Sequence, residues 1–221
     1  MFKQSQKIFL ILVFILFPLK SHADLLGGLT GGLTGGSSGG FDLAGGKTEL
    51  VDAFFSSNSE YLEALRLLHL ALGKNTEAEQ LQKAIEYAND PGISEEDRMK
   101  NSIKTTNEAS QSIESDLNNQ SLSLSAEGKV FYAQSLPPAG KGLIGTIKMI
   151  PITKNMVDGI KANPISAVTQ IGGLSKVIPN IPGYIQTVQK TMQMIQSKAK
   201  AEGIDGADDP NLSAQESDFD L

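Results

Sequence analysis

The sequence predicts an all-α protein, a small irregular bundle of short helices that prolines divide. Three observations support this fold class. Apolar residues recur at helical spacing between residues 47 and 203, capping residues precede most of these segments, and strand signals are scarce. The segment 129–134, KVFYAQ, is the one strand candidate, and we interpret it as a helix under a Ser125 cap because it is short and isolated.

The first 23 residues predict a signal peptide. They hold a basic start, an apolar run from Ile8 to Leu19, and then Ser21-His22-Ala23. Small residues at the last and third-last positions suit signal peptidase, so we place cleavage after Ala23. The alternative, an uncleaved anchor, is disfavoured because a membrane-spanning helix needs roughly 20 apolar residues. The expected location is the periplasm, if the source is a Gram-negative bacterium; otherwise the protein is expected to be secreted.

Residues 24–46 predict a flexible glycine-rich linker. Paired glycines recur every four residues, and the bulky apolar side chains that a membrane helix needs are missing. The stretch ends in Gly46-Lys47-Thr48, like a phosphate-binding loop. Such a loop also requires a glycine five positions before Gly46 and a buried strand before it. Phe41 occupies that position and the preceding residues cannot form a core strand, so no nucleotide is expected to bind.

Residues 47–136 predict an acidic helical half. They hold eight Lys or Arg residues against 15 Asp or Glu residues. Thr48, Ser59, Thr76 and Ser94 are each placed to cap a helix, because each precedes apolar residues at helical spacing.

The helix after Ser94 carries a stripe whose members lie alternately four and three residues apart. Its members are Met99, Ile103, Thr106, Ser110, Ile113, Leu117, Gln120 and Leu124. The spacing is that of a coiled-coil seam, but three of the eight positions are polar. We therefore expect weak packing here, and a surface that a partner helix can occupy.

Residues 137–203 predict a second, basic and apolar helical half, and its residues 137–200 hold eight lysines against the single acid Asp158. Prolines at 138, 151, 164, 179 and 182 are expected to divide it into short helices, because proline suits a first turn better than a helix interior. The last helix is expected to close near Gly203. Residues 204–221 are polar and acidic, which is typical of a disordered tail.

Four lysines of the basic half are the candidate contact residues: Lys148, Lys154, Lys161 and Lys176. They lie at intervals between the apolar residues of these helices, as lysines do in helices that lie at a membrane interface. Two interpretations stay open. Either these lysines face the acidic half across a shared core, or they face an anionic lipid surface.

The sequence predicts no catalytic residue, cofactor or metal site. There is no cysteine, and His69 is the single histidine beyond Ala23, at the edge of an apolar stripe where a structural role is expected. No carboxylates have catalytic or calcium-loop spacing. Nucleic-acid binding is also not expected, because 137–200 lacks arginine and interleaved aromatic residues.

These observations favour a non-enzymatic exported protein that acts by protein–protein interaction, with an unidentified partner that binds through a helix. The alternative is a lipid-binding or membrane-surface protein that uses the basic helices of 137–200.

Overall fold

The computed structural model describes residues 42–119 and 122–212, and all regular secondary structure in these residues is helical. The helices are α1 (Leu43–Ala71), α2 (Asn75–Ala88), α3 (Glu95–Leu117), α4 (Ala126–Ala162), α5 (Pro164–Ile171), α6 (Leu174–Val177) and α7 (Ile181–Glu202), with 3-10 turns at Ile178–Asn180 and Pro210–Leu212. The all-α prediction is confirmed. The predicted signal peptide, the glycine repeats up to residue 41 and the tail from residue 213 lie outside the described residues.

Helix α1 is one continuous helix of 29 residues. It begins at Leu43 because the Asp42 carboxylate accepts hydrogen bonds from the backbone N–H groups two and three residues later, both at 3.1 Å. The predicted caps at Thr48 and Ser59 were therefore wrong, and the linker predicted for 24–46 overlaps the first turn of α1. Burial of one long face along α1 overrides these local signals, because a buried apolar side chain contributes more than a cap does.

Helix α4 runs for 37 residues through Pro137, Pro138 and Pro151, so the predicted breaks at 138 and 151 were wrong. Pro137 and Pro151 are exposed and Pro138 is half-buried. A proline inside a helix costs about 3 kcal/mol. Full burial of one large apolar side chain contributes roughly 1.5–3 kcal/mol. Helix α4 buries several, among them Leu136, Leu143 and Met149.

The prolines beyond α4 do begin helices, as predicted. Pro164 is the first residue of α5, where Asn163 Oδ1 accepts from the backbone N–H of Ser166 at 3.0 Å. Pro179 and Pro182 lie in the first turns of the 3-10 turn and of α7. Gly203 ends α7 in the left-handed conformation, at φ 63°.

Two of the predicted serine caps are also confirmed. Ser94 Oγ accepts from the backbone N–H of Asp97 at 3.1 Å at the start of α3, and Ser125 Oγ accepts from that of Gly128 at 2.9 Å at the start of α4. Segment 129–134 is helical as interpreted. Thr76 lies inside α2, which begins one residue earlier without a side-chain cap.

Helices α1 and α4 form the centre of the core and pack antiparallel at close range. A Cβ placed on Gly145 would lie 2.6 Å from the Cβ of Ser57, and one on Gly142 would lie 2.9 Å from the Cβ of Tyr61. At the other end of the pair, a Cβ on Gly128 would lie 2.5 Å from the backbone oxygen of Ala71. The acidic and basic halves of the sequence therefore share one core along these two helices.

The chain after α7 folds back onto α4. Ile204, Ala207 and Leu212 are buried, and a Cβ placed on Gly140 of α4 would lie 3.2 Å from the Cβ of Asn211. The prediction of a disordered tail from residue 204 was therefore wrong for residues 204–212. Three apolar side chains spaced through an acidic segment suffice to hold it on the core.

Candidate binding surface

Two of the three exposed large apolar side chains of the described residues lie near the junction of α4 and α5. Ile165 is 84% exposed and Val168 is 56% exposed. They are three residues apart on α5, so they lie on the same side of that helix. Ala167 and Ile171 of the same helix are buried. This short helix therefore sits on the core by one face and presents an apolar face to solvent.

Two of the four candidate lysines lie on the helix that leads into this junction. Lys154 and Lys161 are exposed and seven residues apart on α4, which places them on one face of the helix about 10 Å apart along its axis. Asp158, also exposed, lies between them on that face. We call the exposed residues Lys154, Asp158, Lys161, Ile165 and Val168 the α4–α5 corner.

The other two candidate lysines lie elsewhere on the surface. Lys148 is exposed on α4 but six residues before Lys154, which turns it about 120° away around the helix. Lys176 is exposed on α6, which contacts α3, and the carboxylate of Glu96 in the first turn of α3 lies against Gly173. Lys154 and Lys161 therefore share one face of α4, Lys148 lies on another face of that helix, and Lys176 lies on α6.

None of these four lysines makes an ion pair with a carboxylate of the described residues, in contrast to other lysines of the basic half. Lys141 lies 3.8 Å from Glu60, Lys198 lies 2.9 Å from Glu202, and Lys190 pairs with Glu114. The helices of the basic half thus belong to the core, while Lys154 and Lys161 keep their charges available to an outside partner.

The polar positions of the α3 stripe have partners inside the chain. Thr106 Oγ1 donates to Asn58 Oδ1 of α1 at 2.9 Å, and Ser110 Oγ lies 3.2 Å from the Tyr61 hydroxyl. All four side chains are buried. Burial raises the pKa of Tyr61 to about 12, so it is neutral at ordinary pH. The stripe is therefore covered by α1 over this stretch, and the expected weak packing is not found there.

We call the buried side chains of Asn58, Tyr61, Thr106 and Ser110 the buried polar layer. The charged side chain of Glu114 extends this layer toward α7. Glu114 of α3 is 8% exposed, accepts a hydrogen bond from Thr191 Oγ1 at 2.7 Å, and pairs with Lys190. The sequence did not single out Glu114 or Thr191. Glu114 follows Ser110 by four residues, so the sequence already indicated that the two side chains lie on the same face of α3.

The C-terminal end of the stripe remains open. Leu117 lines a cleft of about 470 Å³ with Gln193, Met194 and Ser197 of α7. Gln120 of the stripe lies outside the described residues, and Leu124 is buried.

His69 is buried, as predicted for a structural histidine, with 1% of its surface exposed. Burial lowers its pKa, and the positive charge of Lys74 lowers it further, while Glu77 and Asp116 act in the opposite direction. Its Nδ1 is buried without a hydrogen-bond partner.

Acidification is expected to destabilise the protein through His69. An unfolded histidine titrates near about pH 6.5. Since the folded pKa is lower, the unfolded state binds the extra proton first, and the free energy of unfolding falls as the pH falls through the window between the unfolded pKa and the lower folded pKa. Urea unfolding at a series of pH values measures this slope. His69→Gln should flatten the slope over that window, and an unchanged slope would contradict the assignment.

The described residues contain no group of three histidine or acidic side chains close enough to hold a metal ion. None of the described helices combines the length and hydropathy that crossing a bilayer requires. Comparisons of the chain with protein-family models, with curated proteins and with solved structures find no match.

Proposed function

We propose that this is an exported, non-enzymatic binding protein that attaches reversibly to anionic lipid surfaces through the α4–α5 corner. The observations that carry the proposal are the exposure of Ile165 and Val168 on α5 and the presence, on the preceding helix α4, of two exposed lysines without an ion-pair partner in the described residues. Export rests on the signal-peptide pattern of the first 23 residues, and N-terminal sequencing of the exported protein tests it. The non-enzymatic role rests on the absence of catalytic spacing in the sequence.

The combination of groups at the corner suits the interface of a bilayer. An apolar face that enters the headgroup region gains free energy from area removed from water, and adjacent lysines remain at the level of the lipid phosphates. Each lysine near an anionic surface contributes about 1 kcal/mol. Burial of a fully exposed large apolar side chain contributes roughly 1.5–3 kcal/mol, so Ile165, 84% exposed, would add most of that and Val168, 56% exposed, about half. Asp158 opposes the attraction, so the sum supports weak, reversible attachment.

Flotation with liposomes tests this proposal. The full chain should float with phosphatidylcholine liposomes that contain phosphatidylglycerol, and it should remain at the bottom with phosphatidylcholine alone. Raising the salt concentration should weaken binding, because screening shortens the reach of the lysine charges. Changing Lys154 and Lys161 together to glutamine removes about 2 kcal/mol, or roughly 30-fold in partitioning. Changing Asp158 to asparagine should strengthen binding, because it removes the one opposing charge.

Matched controls exist within α4. Lys148→Gln removes a lysine from another face and should weaken binding less than Lys154→Gln does. Val130 is 56% exposed, as Val168 is, but lies far from the corner along α4. Val130→Ser should therefore leave flotation unchanged, while Val168→Ser weakens it. Equal effects of the corner and control variants would mean that binding is unspecific, and no flotation with either liposome would overturn the proposal.

A protein partner is the second candidate, and the cleft at the end of the α3 stripe favours it. Leu117 and Met194 offer apolar contact there, and Gln193 and Ser197 offer hydrogen bonds, a mixture found at protein interfaces. Met194→Arg should abolish capture of such a partner from envelope extracts and leave liposome flotation intact. Loss of capture with Ile165→Ser instead would place the partner at the corner.

A further inference from the structure

Helix α5 is attached to the core through the apolar contacts of two side chains. Ala167 and Ile171 are buried, and the helix packs against α1 and α4. Its sequence, PISAVTQI, contains no charged residue, so its side chains cannot form ion pairs. The side chains of Thr169 and Gln170 form hydrogen bonds to residues four positions earlier in the same helix. These polar bonds are local, and apolar contact therefore holds the helix in place.

The backbone leaves the helical conformation on both sides of α5. Asn163, the residue between α4 and α5, has φ −146° and ψ 79°. Gly172, which follows α5, has φ 59° and ψ −138°, a conformation that residues with a Cβ rarely adopt. The regular helix is thus interrupted before and after α5, and rotations at these two residues move α5 without unwinding α4.

Helix α5 is also too short to be stable by itself. Isolated helices shorter than about 12–15 residues are marginal in water, and α5 has eight residues. Its helical form therefore depends on docking. Segments with few buried apolar contacts open at a lower free energy than the whole protein does. Helix α4 instead buries Leu136, Leu143 and Met149, among others, so it should stay folded when α5 opens.

We propose that α5 opens and closes as a unit in the free protein, and that an anionic lipid surface binds the closed form and keeps it closed. The lipid half of this inference rests on the attachment proposed above for the α4–α5 corner. Ile165 and Val168 lie on one side of α5 because the segment is helical, and opening disperses this apolar pair. A lipid surface that holds both side chains therefore opposes opening, so binding and closure favour each other.

Hydrogen exchange of the full chain, followed by mass spectrometry of peptides, tests the free protein first. The backbone N–H groups of Ala167 and Gly172 donate to the carbonyls of Asn163 and Val168, both at 3.0 Å, so they report whether α5 is closed. A peptide that covers 164–172 should be protected at least about tenfold less than a peptide from the interior of α4. Low urea concentrations should change its exchange little, because opening α5 exposes little surface. Equal protection of the two peptides, or an equal response to urea, would overturn the inference.

Liposomes test the lipid half with the same readout. Liposomes that contain phosphatidylglycerol, at a concentration that binds about nine-tenths of the protein, should slow the exchange of 164–172 about tenfold, because the bound form does not open. Phosphatidylcholine liposomes should leave this exchange unchanged. Flotation of the same samples separates the two proposals. Protein that floats with unchanged or faster α5 exchange overturns the inference and leaves the attachment standing. Protein that does not float removes the attachment, and the lipid half of the inference with it.

Two variants shift the equilibrium of α5 toward the open form. Gly172→Ala should accelerate the exchange of 164–172 by roughly fivefold or more, since alanine at φ 59° is strained while α5 is closed. Ile171→Val removes one buried methylene and should accelerate it by roughly threefold, so either variant suffices if the other does not fold.

Gly73→Ala is the matched control for Gly172→Ala. Gly73 lies beyond the end of α1 with φ 73°, and nothing lies within 4 Å of a Cβ placed on it. The change should leave the exchange of 164–172 as it is in the parent protein. An equal acceleration by Gly73→Ala would contradict the separate opening of α5.

Discussion

Changing Gly142 to leucine is expected to lower the free energy of unfolding by about 3 kcal/mol, the upper end of the usual cost of overpacking. A Cβ on Gly142 would lie 3.0 Å from the backbone nitrogen of Tyr61 and 3.1 Å from the backbone oxygen of Ser57. Backbone atoms of α1 cannot rotate away as a side chain does. Helices α1 and α4 would have to separate, and the close packing along their whole contact would be lost. Urea unfolding followed by far-UV circular dichroism measures the change.

Gly183 provides the matched control, because nothing lies within 4 Å of a Cβ placed on it in the first turns of α7. Gly183→Ala should stabilise the protein by up to about 1 kcal/mol, since alanine loses less backbone freedom on folding. A Gly142→Leu protein as stable as the parent would show that α1 and α4 do not pack closely, and with that result the core described above would be wrong.

Local signals predicted the parts of the fold that local chemistry decides. The caps at Ser94, Ser125 and Asn163 are side-chain hydrogen bonds to backbone groups three residues away, so their pattern can be read from the sequence. The continuity of α1 past Ser59, and of α4 past Pro151, is decided instead by burial against partners far along the chain. A single sequence does not display those partners, and so it predicts too many breaks.

The sequence predicted the lysines of the candidate surface, but not their ion pairs or the exposure of their apolar neighbours. The sequence identified the lysines by their charge and spacing, and the period of a helix already separates Lys148 from Lys154. It could not indicate which lysines lack an ion pair, because Glu60, the neighbour of Lys141, lies 81 positions earlier in the printed sequence. Exposure of Ile165 was also hidden, since the sequence places it in an apolar stripe with Val168 and Ile171, and Ile171 is buried.

The polar residues of the α3 stripe also depend on partners that are far away in the sequence. The sequence presents Thr106 and Ser110 as defects in an apolar seam, because Asn58 and Tyr61 belong to another helix. In the structure these pairs satisfy one another in the interior. A buried polar layer of this kind disfavours shifted packing of the helices, since any shift leaves polar groups unpaired. The seam, with three polar positions among eight, therefore specifies the register of α1 against α3, and in the described part of the stripe its end at Leu117 is open to a partner.

Changing Thr191 to valine is expected to cost about 2 kcal/mol of unfolding free energy, the range found for hydrogen bonds to charged groups. The change keeps the shape of the side chain and removes the hydroxyl that donates to Glu114 at 2.7 Å. The carboxylate then stays 8% exposed with Lys190 as its remaining partner. Thr187→Val, on the same helix, removes a hydroxyl that donates to the carbonyl of Gly183 at an exposed site, and it should change stability by less than about 0.5 kcal/mol.

A double variant separates the hydrogen bond from the shape of the site. If the cost of Thr191→Val comes from leaving Glu114 without a donor, it should largely disappear when Glu114 is also changed to leucine, because no charge then needs the hydroxyl. Urea unfolding of the two single variants and the double variant gives the coupling free energy directly. Additive costs would mean that Thr191 and Glu114 contribute separately, and the buried layer would then end at Tyr61 and Ser110. A coupling of about 1 kcal/mol or more would instead show that the layer reaches α7 and links three helices through one carboxylate.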